Sequence, residues 1–232
     1  MIAIIGAMQV EIEGLLKKLA ELTAKKVGAL TIYKGQLKQK DTKKIVDVVV
    51  CKCGVGKVFS SLATATIMQM YPKVSLVINL GVAGGLANDL NQGDFALATG
   101  AIQHDFLALE GGYGLVAGYQ EREFTVCSSA ASKMQDALES LGFKYKTGII
   151  VSGDQFIQDK NKTAWLKKEF NAIACDMETA AIAQVCDVFS VPFLGIRSIS
   201  DNADGGAMLD FLEFCDVAAE RSIMAVTKFL GG

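Results

Sequence analysis

The segment from 172 to 204 constrains the fold most, because it places an acidic residue after each of two apolar runs. The run at 173–175 leads into Glu178, beside a predicted helix start where negative charge is favoured. The run at 191–199 leads directly into Asp201. Ligands of open α/β sheets bind at the carboxyl ends of the strands. Glu178 and Asp201 are therefore expected to converge there, where two carboxylates suit acid–base work on a small molecule.

The same order of apolar run, small-residue turn and helix recurs along most of the chain. The N-terminal apolar run is followed by a short turn and then by a predicted amphipathic helix from Glu11 to about residue 22. Glycine-rich turns at 54–58 and 81–86 follow two further apolar runs. This alternation predicts a three-layer α/β/α fold with a central mixed, mainly parallel sheet. The length suits a single domain over residues 1–232.

Composition excludes several classes of function. The net charge is −2 and no basic block occurs, which argues against a nucleic-acid partner. No apolar run is long enough to cross a membrane, and the N-terminus lacks the basic start of a signal peptide. Six cysteines occur without CxxC or metal-ligand spacing. We expect them to be reduced thiols of a cytoplasmic protein that binds no metal.

Single motifs along the chain are weak when taken alone. The turn at 54–58 lacks the spacing of a phosphate-binding P-loop, and the turn at 81–86 lacks the dinucleotide-binding pattern. His104 precedes Asp105, but no nucleophile-elbow context accompanies them, so a hydrogen-bonded structural histidine is expected. Phe156 follows an apolar strand run, where it could stack on a flat base or fill the core.

Together the turns resemble those of the nucleoside phosphorylase/nucleosidase superfamily over nearly the whole chain. The resemblance rests on seven motifs in order, each at a predicted strand end: IGAM..E at 5–11, GVGKV at 54–58, N.G.AGGL at 79–86, HD at 104–105, SGD.FI at 152–157, MET at 177–179 and R.ISD at 197–201. Each motif is short, but seven in the family's order form a specific signal.

The resemblance implies hydrolysis of the N-glycosidic bond of 5′-methylthioadenosine and S-adenosylhomocysteine, with no metal and no cofactor. It implies that Asp201, held by Ser200, protonates adenine N7 as general acid. It implies that Glu11, with Arg197 nearby, activates the attacking water. Glu178 would bind the ribose hydroxyls. The expected partners are the small-molecule nucleoside, water and a second copy of the chain in a homodimer.

The resemblance also implies the walls of the substrate site. Phe156 would stack on adenine while the backbone of Ile157 contacts the edge of the base. Met8 and Met177 would pack against the ribose and the thioether, where soft sulfur contacts suit a variable 5′ group. The remaining wall is expected from Val55, Val82, Ala83 and Gly84.

The chain departs from the family pattern at two positions. Val82 stands where family members often have Ser, so backbone amides of the same turn, or another side chain, would have to replace the hydroxyl. The family's HDxD pattern ends here in Leu107 rather than Asp. These changes bear on the placement of water and on the preference for the 5′ group.

Three alternatives stay open at the level of the sequence. A phosphorylase would need arginines to hold phosphate, but Asn79 occupies one expected arginine position and Glu11 would repel an anion. A nucleosidase for another adenosine derivative, such as 5′-deoxyadenosine or aminodeoxyfutalosine, would use the same carboxylates. A non-catalytic nucleoside sensor would not need all three of the carboxylates Glu11, Glu178 and Asp201.

Overall fold

The computed structural model describes residues 1–39, 43–109, 111–204 and 206–231, which form a mixed sheet with helices on both faces. Its strands are β1 (Ile2–Gly6), β2 (Ala20–Val27), β3 (Leu30–Lys38), β4 (Ile45–Lys52), β5 (Leu76–Gly85), β6 (Phe95–Gln103), β7 (Phe124–Thr125), β8 (Tyr145–Ser152), β9 (Ala172–Asp176) and β10 (Phe193–Asp201). Its helices are α1 (Gln9–Leu16), α2 (Lys57–Met70), α3 (Ser128–Ser140), α4 (Lys160–Phe170), α5 (Thr179–Val188) and α6 (Ala207–Phe229).

The three layers follow from the alternation of side chains along the buried strands. In β1, Ala3 and Ile5 pack in one core with residues of α2 and α5. Ile4 points to the opposite face and packs in a second core with residues of α1, α3 and α6. Successive strand side chains point to opposite faces, so an uninterrupted apolar strand needs a helical layer on each side. The predicted α/β/α fold with a mixed sheet is confirmed.

The sheet closes on itself at one end. Strand β5 pairs with β1, β9 and β10, and the pairings β10–β6, β6–β8 and β8–β9 complete a ring of five strands. Register shifts in the β5–β10, β6–β8 and β8–β9 pairings interrupt the ladders of this ring. Such bulges bend strands, which a closed ring requires.

The pairing of β5 with β10 sets the position of the predicted acid. The two strands are parallel, with Arg197 opposite Gly81 and Asp201 opposite Gly84. The register shifts between Ile199 and Asp201, just before β10 ends. The turn expected at 81–86 is wrong, because β5 continues to Gly85. The glycine-rich carboxyl end of β5 therefore lies beside the acid at the end of β10.

The helix expected from Glu11 to about residue 22 is wrong in its second half. Helix α1 ends at Leu16, and the chain enters β2 at Ala20. Strand β2 is an exposed edge strand that pairs only with β3 among the described residues. An edge strand without a buried face has no apolar alternation to distinguish it from a polar helix end.

Two further expectations concern the environment of the chain. All six cysteines are free, which agrees with the predicted reduced thiols. Within the described ranges, we find no helix with both the length and the apolarity needed to cross a bilayer.

Candidate active site

A cavity lies at the carboxyl ends of β1, β5, β9 and β10, and the N-terminal part of α6 contributes to its wall. It is lined by Ala7, Met8, Glu11, Val55, Val82, Ala83, Gly84, Gln155, Phe156, Ile157, Cys175, Asp176, Met177, Glu178, Ser200, Asp201 and Phe211. Every side chain predicted for the site lines this cavity except Arg197. Arg197 is fully buried behind the cavity wall, so its contacts are with protein groups.

Glu11 is held by backbone amides from two elements. Its Oε2 accepts hydrogen bonds from the amides of Ala7 (2.6 Å) and Met8 (2.9 Å), and its Oε1 accepts one from Val82 (3.1 Å). Burial raises the pKa of the Glu11 carboxyl, while Arg197 and these amides act in the opposite direction. The carboxylate is therefore fixed in place at the cavity wall although it lies in the first turn of α1.

The glycine at position 81 makes this arrangement possible. Its φ of +152° is in the region that glycine tolerates best. A Cβ atom at this position would overlap both Oε1 of Glu11 and Nη1 of Arg197. Gly81, which lies within β5, thus leaves room for an acid and a base side chain to approach the backbone.

Glu178 connects the start of α5 to the GVGK turn. Its Oε1 accepts a hydrogen bond of 2.8 Å from the amide of Gly56, whose φ is +99°. Burial raises the pKa of Glu178 to about 7, with Arg197 lowering it and Asp176 raising it further. The GVGK turn therefore positions a carboxylate in this chain, and Glu178 exchanges a proton near neutral pH.

Asp201 ends β10 and is oriented by its neighbours. Its Oδ2 accepts a hydrogen bond from the Ser200 hydroxyl (2.8 Å), and its Oδ1 accepts one from the Ala203 amide (2.8 Å). Ala203 has a left-handed backbone (φ +48°), which is uncommon outside glycine. Burial raises the pKa of Asp201, and the two hydrogen bonds oppose this effect. The carboxyl is thus biased towards the protonated form that a general acid needs.

The apolar wall contains an aromatic pair. Phe156 and Phe211 meet edge to face, with ring centroids 5.7 Å apart and an interplanar angle of 78°. Phe156 is 38% exposed, so it does not fill the core. Its ring forms part of the cavity wall, and Phe211 packs against it from α6.

Val82 contributes through its backbone. Its side chain packs in a cluster with residues of α6, and its amide donates to Glu11. The Val82 amide is therefore used by Glu11, and the valine side chain supplies no hydrogen-bonding group in place of the serine hydroxyl.

Several cavity residues had no clear signal in the sequence. Gln155 and Cys175 adjoin predicted residues, but their types suggest no role. Asp176 sat beside a predicted helix start, where an acid is explained by the helix dipole alone. Phe211 lies on a helix that follows Asp201, and only the fold of that helix over the cavity brings it to Phe156.

His104 departs from the expected hydrogen-bonded histidine. It is fully buried, and neither ring nitrogen has a hydrogen-bond partner among the described residues. Asp105 instead forms an ion pair with Lys57 (2.6 Å) and accepts a hydrogen bond from the Asp154 amide (2.9 Å). The His104–Asp105 pair is therefore no catalytic dyad, and Asp105 connects the start of α2 to the loop after β8.

The burial of His104 predicts a loss of stability in mild acid. Burial is the main cause that lowers its pKa to about 4 in the folded chain, whereas an unfolded histidine has a pKa of about 6.5. The unfolded state thus binds an extra proton as the pH falls through this window. The His104 contribution lowers the free energy of unfolding by about 2 kcal/mol between about pH 7 and about pH 5.

Urea unfolding of the wild type and of His104→Leu at both pH values measures this contribution. The free energy of unfolding should change less between the two pH values in the variant than in the wild type, by about 2 kcal/mol. Acidic groups elsewhere contribute equally to both proteins and cancel in the comparison. An equal pH dependence in both proteins would show that His104 is not buried in its neutral form.

Comparison with known proteins gives matches over nearly the whole chain. The profile of the phosphorylase superfamily matches residues 1–231. A 5′-methylthioadenosine/S-adenosylhomocysteine nucleosidase of Haemophilus influenzae (strain PittEE) is 36% identical over 232 residues, which cover 99% of this chain and 98% of the relative.

Solved structures agree over the same length. The nucleosidase of that name from Neisseria meningitidis, in complex with methylthio-immucillin-A, superposes with a TM-score of 0.92 at 34% identity, covering 99% of this chain and 98% of the other. A futalosine hydrolase of Helicobacter pylori superposes with a TM-score of 0.91 at 31% identity, covering 99% and 96%. The match of the family profile over nearly the whole chain shows that this protein belongs to the phosphorylase superfamily.

Proposed function

We propose that the chain hydrolyses the N-glycosidic bond of 5′-methylthioadenosine and S-adenosylhomocysteine, and releases adenine and the 5′-thio-ribose. The observation that carries this proposal is the convergence of Glu11, Glu178 and Asp201 on one cavity with an aromatic wall. Relatives that bear the corresponding nucleosidase name match the chain end to end. A phosphorylase would differ in the nucleophile, and a nucleosidase for another adenosine derivative would differ in the 5′ group of its substrate.

Departure of adenine requires a proton on its N7 atom, because the ribosyl group becomes cation-like in the transition state and an anionic base leaves poorly. Asp201 donates this proton. Its raised pKa supports the role, since the group must carry a proton when substrate binds. Ser200 and the Ala203 amide hold the carboxyl in one orientation, which favours directed transfer.

Water attacks C1′ from the side of Glu11. The two oxygens of Glu11 are held by three amides and cannot swing away from the cavity. In our proposal Glu11 orients the water and removes its proton as the C1′–O bond forms. The Glu11 carboxyl has to be ionised for this step. Burial raises its pKa and so opposes ionisation, whereas Arg197 and the amides lower the pKa and favour the ionised form.

Glu178 accepts hydrogen bonds from the ribose hydroxyls. Its negative charge would stabilise the cation that develops on the sugar ring. Phe156 stacks on adenine, while Met8 and Met177 contact the ribose and the 5′ sulfur. Their places in the cavity wall support these assignments.

A phosphorylase reaction is disfavoured by the surroundings of Asn79. This side chain is fully buried, and its Nδ2 donates to the Ile5 carbonyl (3.0 Å). Its Oδ1 accepts from Thr179 (3.0 Å) and from Arg197. Asn79 does not line the cavity, so it cannot bind a phosphate there, and Glu11 would repel one.

A second candidate is hydrolysis of another adenosine derivative. The similarity to the futalosine hydrolase of Helicobacter pylori favours testing aminodeoxyfutalosine. The same three carboxylates would serve, because the reacting bond is unchanged. A nucleoside sensor without catalytic activity has the least support, because all three carboxylates line the cavity and are available for catalysis.

Adenine release from a panel of nucleosides tests the proposal. The purified chain should release adenine from 5′-methylthioadenosine and S-adenosylhomocysteine in phosphate-free buffer. Faster release from aminodeoxyfutalosine or 5′-deoxyadenosine would favour the second candidate. Binding without release from any of the four would contradict both.

We also propose that the chain is a cytoplasmic homodimer. Three apolar side chains on α2 are exposed next to the cavity mouth: Val58 (77%), Phe59 (52%) and Leu62 (54%). Exposed apolar patches of this kind mark interaction surfaces. Light scattering distinguishes a dimer from a single chain.

A further inference from the structure

Arg197 is one buried cation that faces three carboxylates. Its Nη2 lies 2.5 Å from Oδ2 of Asp176 and 3.6 Å from Oε2 of Glu178. Glu11 adds a third negative charge nearby. The site as described therefore holds more buried negative than positive charge when all three acids are ionised, and the position of Arg197 decides which acid is best compensated.

The guanidinium is held on the side of Asp176. Its Nε donates to Thr179 (3.1 Å) and its Nη1 to the Leu80 carbonyl (3.3 Å), while Nη2 donates to Asn79. A distance of 3.6 Å is too long for a hydrogen bond. Glu178 therefore interacts with Arg197 through charge alone, whereas Asp176 has the close contact.

Asp176 is itself fixed by its own donors. Its Oδ1 accepts from the Ser152 hydroxyl, and its Oδ2 accepts from the Thr179 hydroxyl and from the Thr179 amide (3.2 Å). These partners come from β8 and from the start of α5. The carboxylate cannot follow Arg197 towards Glu178 without losing them.

We propose that Asp176 is a positioning residue: it anchors Arg197 away from Glu178, and so raises the pH below which Glu178 loses the negative charge that the ribose site needs. This inference rests on the proposed nucleosidase function. Its basis is the difference between the two ion-pair distances within one buried network.

The groups that face Glu178 come from several elements. They are Asp176 from β9, Arg197 from β10, Glu11 from α1 and the Gly56 amide at the start of α2. The Cys53 thiol after β4 also lies close, and burial first, then Glu178, raise its pKa, so it stays neutral. Among these groups Arg197 and the amide favour ionised Glu178, whereas Asp176 and Glu11 oppose it.

Asp176→Asn tests the proposal, because it keeps the shape of the side chain and removes the charge. The pKa of Glu178 should fall by about one unit or more, since one opposing charge is lost and Arg197 is freed. Carboxyl carbon NMR of the ligand-free protein measures this pKa, and Glu178→Gln assigns the signal. The acidic limb of the kcat/KM profile should move to lower pH in the same direction.

Asp105→Asn is the matched control. It also removes an ion pair at the rim of the cavity, with Lys57, but Asp105 does not contact Arg197. The Glu178 titration should stay at its wild-type position in this variant. A shift as large as that of Asp176→Asn would assign the effect to general loss of charge and overturn the proposal.

Two further outcomes would overturn the inference. One is a folded Asp176→Asn protein in which Glu178 titrates as in the wild type. The other needs no variant: a wild-type Glu178 that titrates near the ordinary glutamate value of about 4.3 would show that Arg197 already compensates it. The NMR titration uses no substrate, so failure of adenine release would overturn the proposed function separately from this test.

Discussion

Asp201→Asn is expected to lower kcat for adenine release by a factor of about 10²–10⁴, which is the usual contribution of general acid catalysis. Asparagine has nearly the same shape, but it carries no proton that it can transfer to N7. In the wild type, the Ser200 hydroxyl and the backbone amide of Ala203 bind the Asp201 carboxyl. The side-chain amide of asparagine fills the same space. Nucleoside binding should therefore be affected much less than turnover.

Asp204→Asn serves as the control for this exchange. Asp204 lies three residues further along the same loop and caps the turn by accepting from the Gly206 amide (3.0 Å). It does not line the cavity, so its kcat should stay near that of the wild type. Near-normal turnover in Asp201→Asn would remove Asp201 from the role of general acid.

Glu11→Gln is expected to abolish hydrolysis while nucleoside binding remains. The amide cannot take a proton from water, so the loss should reach or exceed the factor of about 10²–10⁴ typical of a general base. Stability should fall as well. Both oxygens of Glu11 accept from backbone amides, and the NH₂ group of glutamine would face one of these donors in either orientation.

Calorimetric titration with 5′-methylthioadenosine separates binding from turnover in this variant. Glu13→Gln is the control, because Glu13 lies on the same helix and forms an exposed ion pair with Lys17 (2.7 Å). It should keep both activity and binding. If Glu11→Gln lost binding together with activity, Glu11 would be a structural acid of α1 rather than the base.

The order of elements and most of the cavity wall could be predicted from the sequence, because both depend on local signals. Buried parallel strands are apolar throughout, and the turns after them carry the glycines and acids that face the ligand edge. Glu178 and Asp201 each follow such a strand. Their convergence required only that these strands lie in one sheet.

The features that sequence analysis missed depend on contacts between distant residues. Strand β2 has no buried face, so its pairing with β3 left no apolar pattern. Arg197 was expected at the substrate, but its partners Asp176, Thr179 and Asn79 hold it behind the wall. Its burial depends on a network drawn from three strands and a helix start, which no single motif encodes.

Oxygen-isotope labelling distinguishes attack by water from attack by phosphate at C1′. The chain is incubated with 5′-methylthioadenosine and inorganic phosphate in water enriched in ¹⁸O, and the sugar product is analysed at once by mass spectrometry. Hydrolysis should give free 5-methylthioribose that carries ¹⁸O at C1. A 1-phosphate of the same sugar, without ¹⁸O at C1, would contradict it and assign the attack to phosphate.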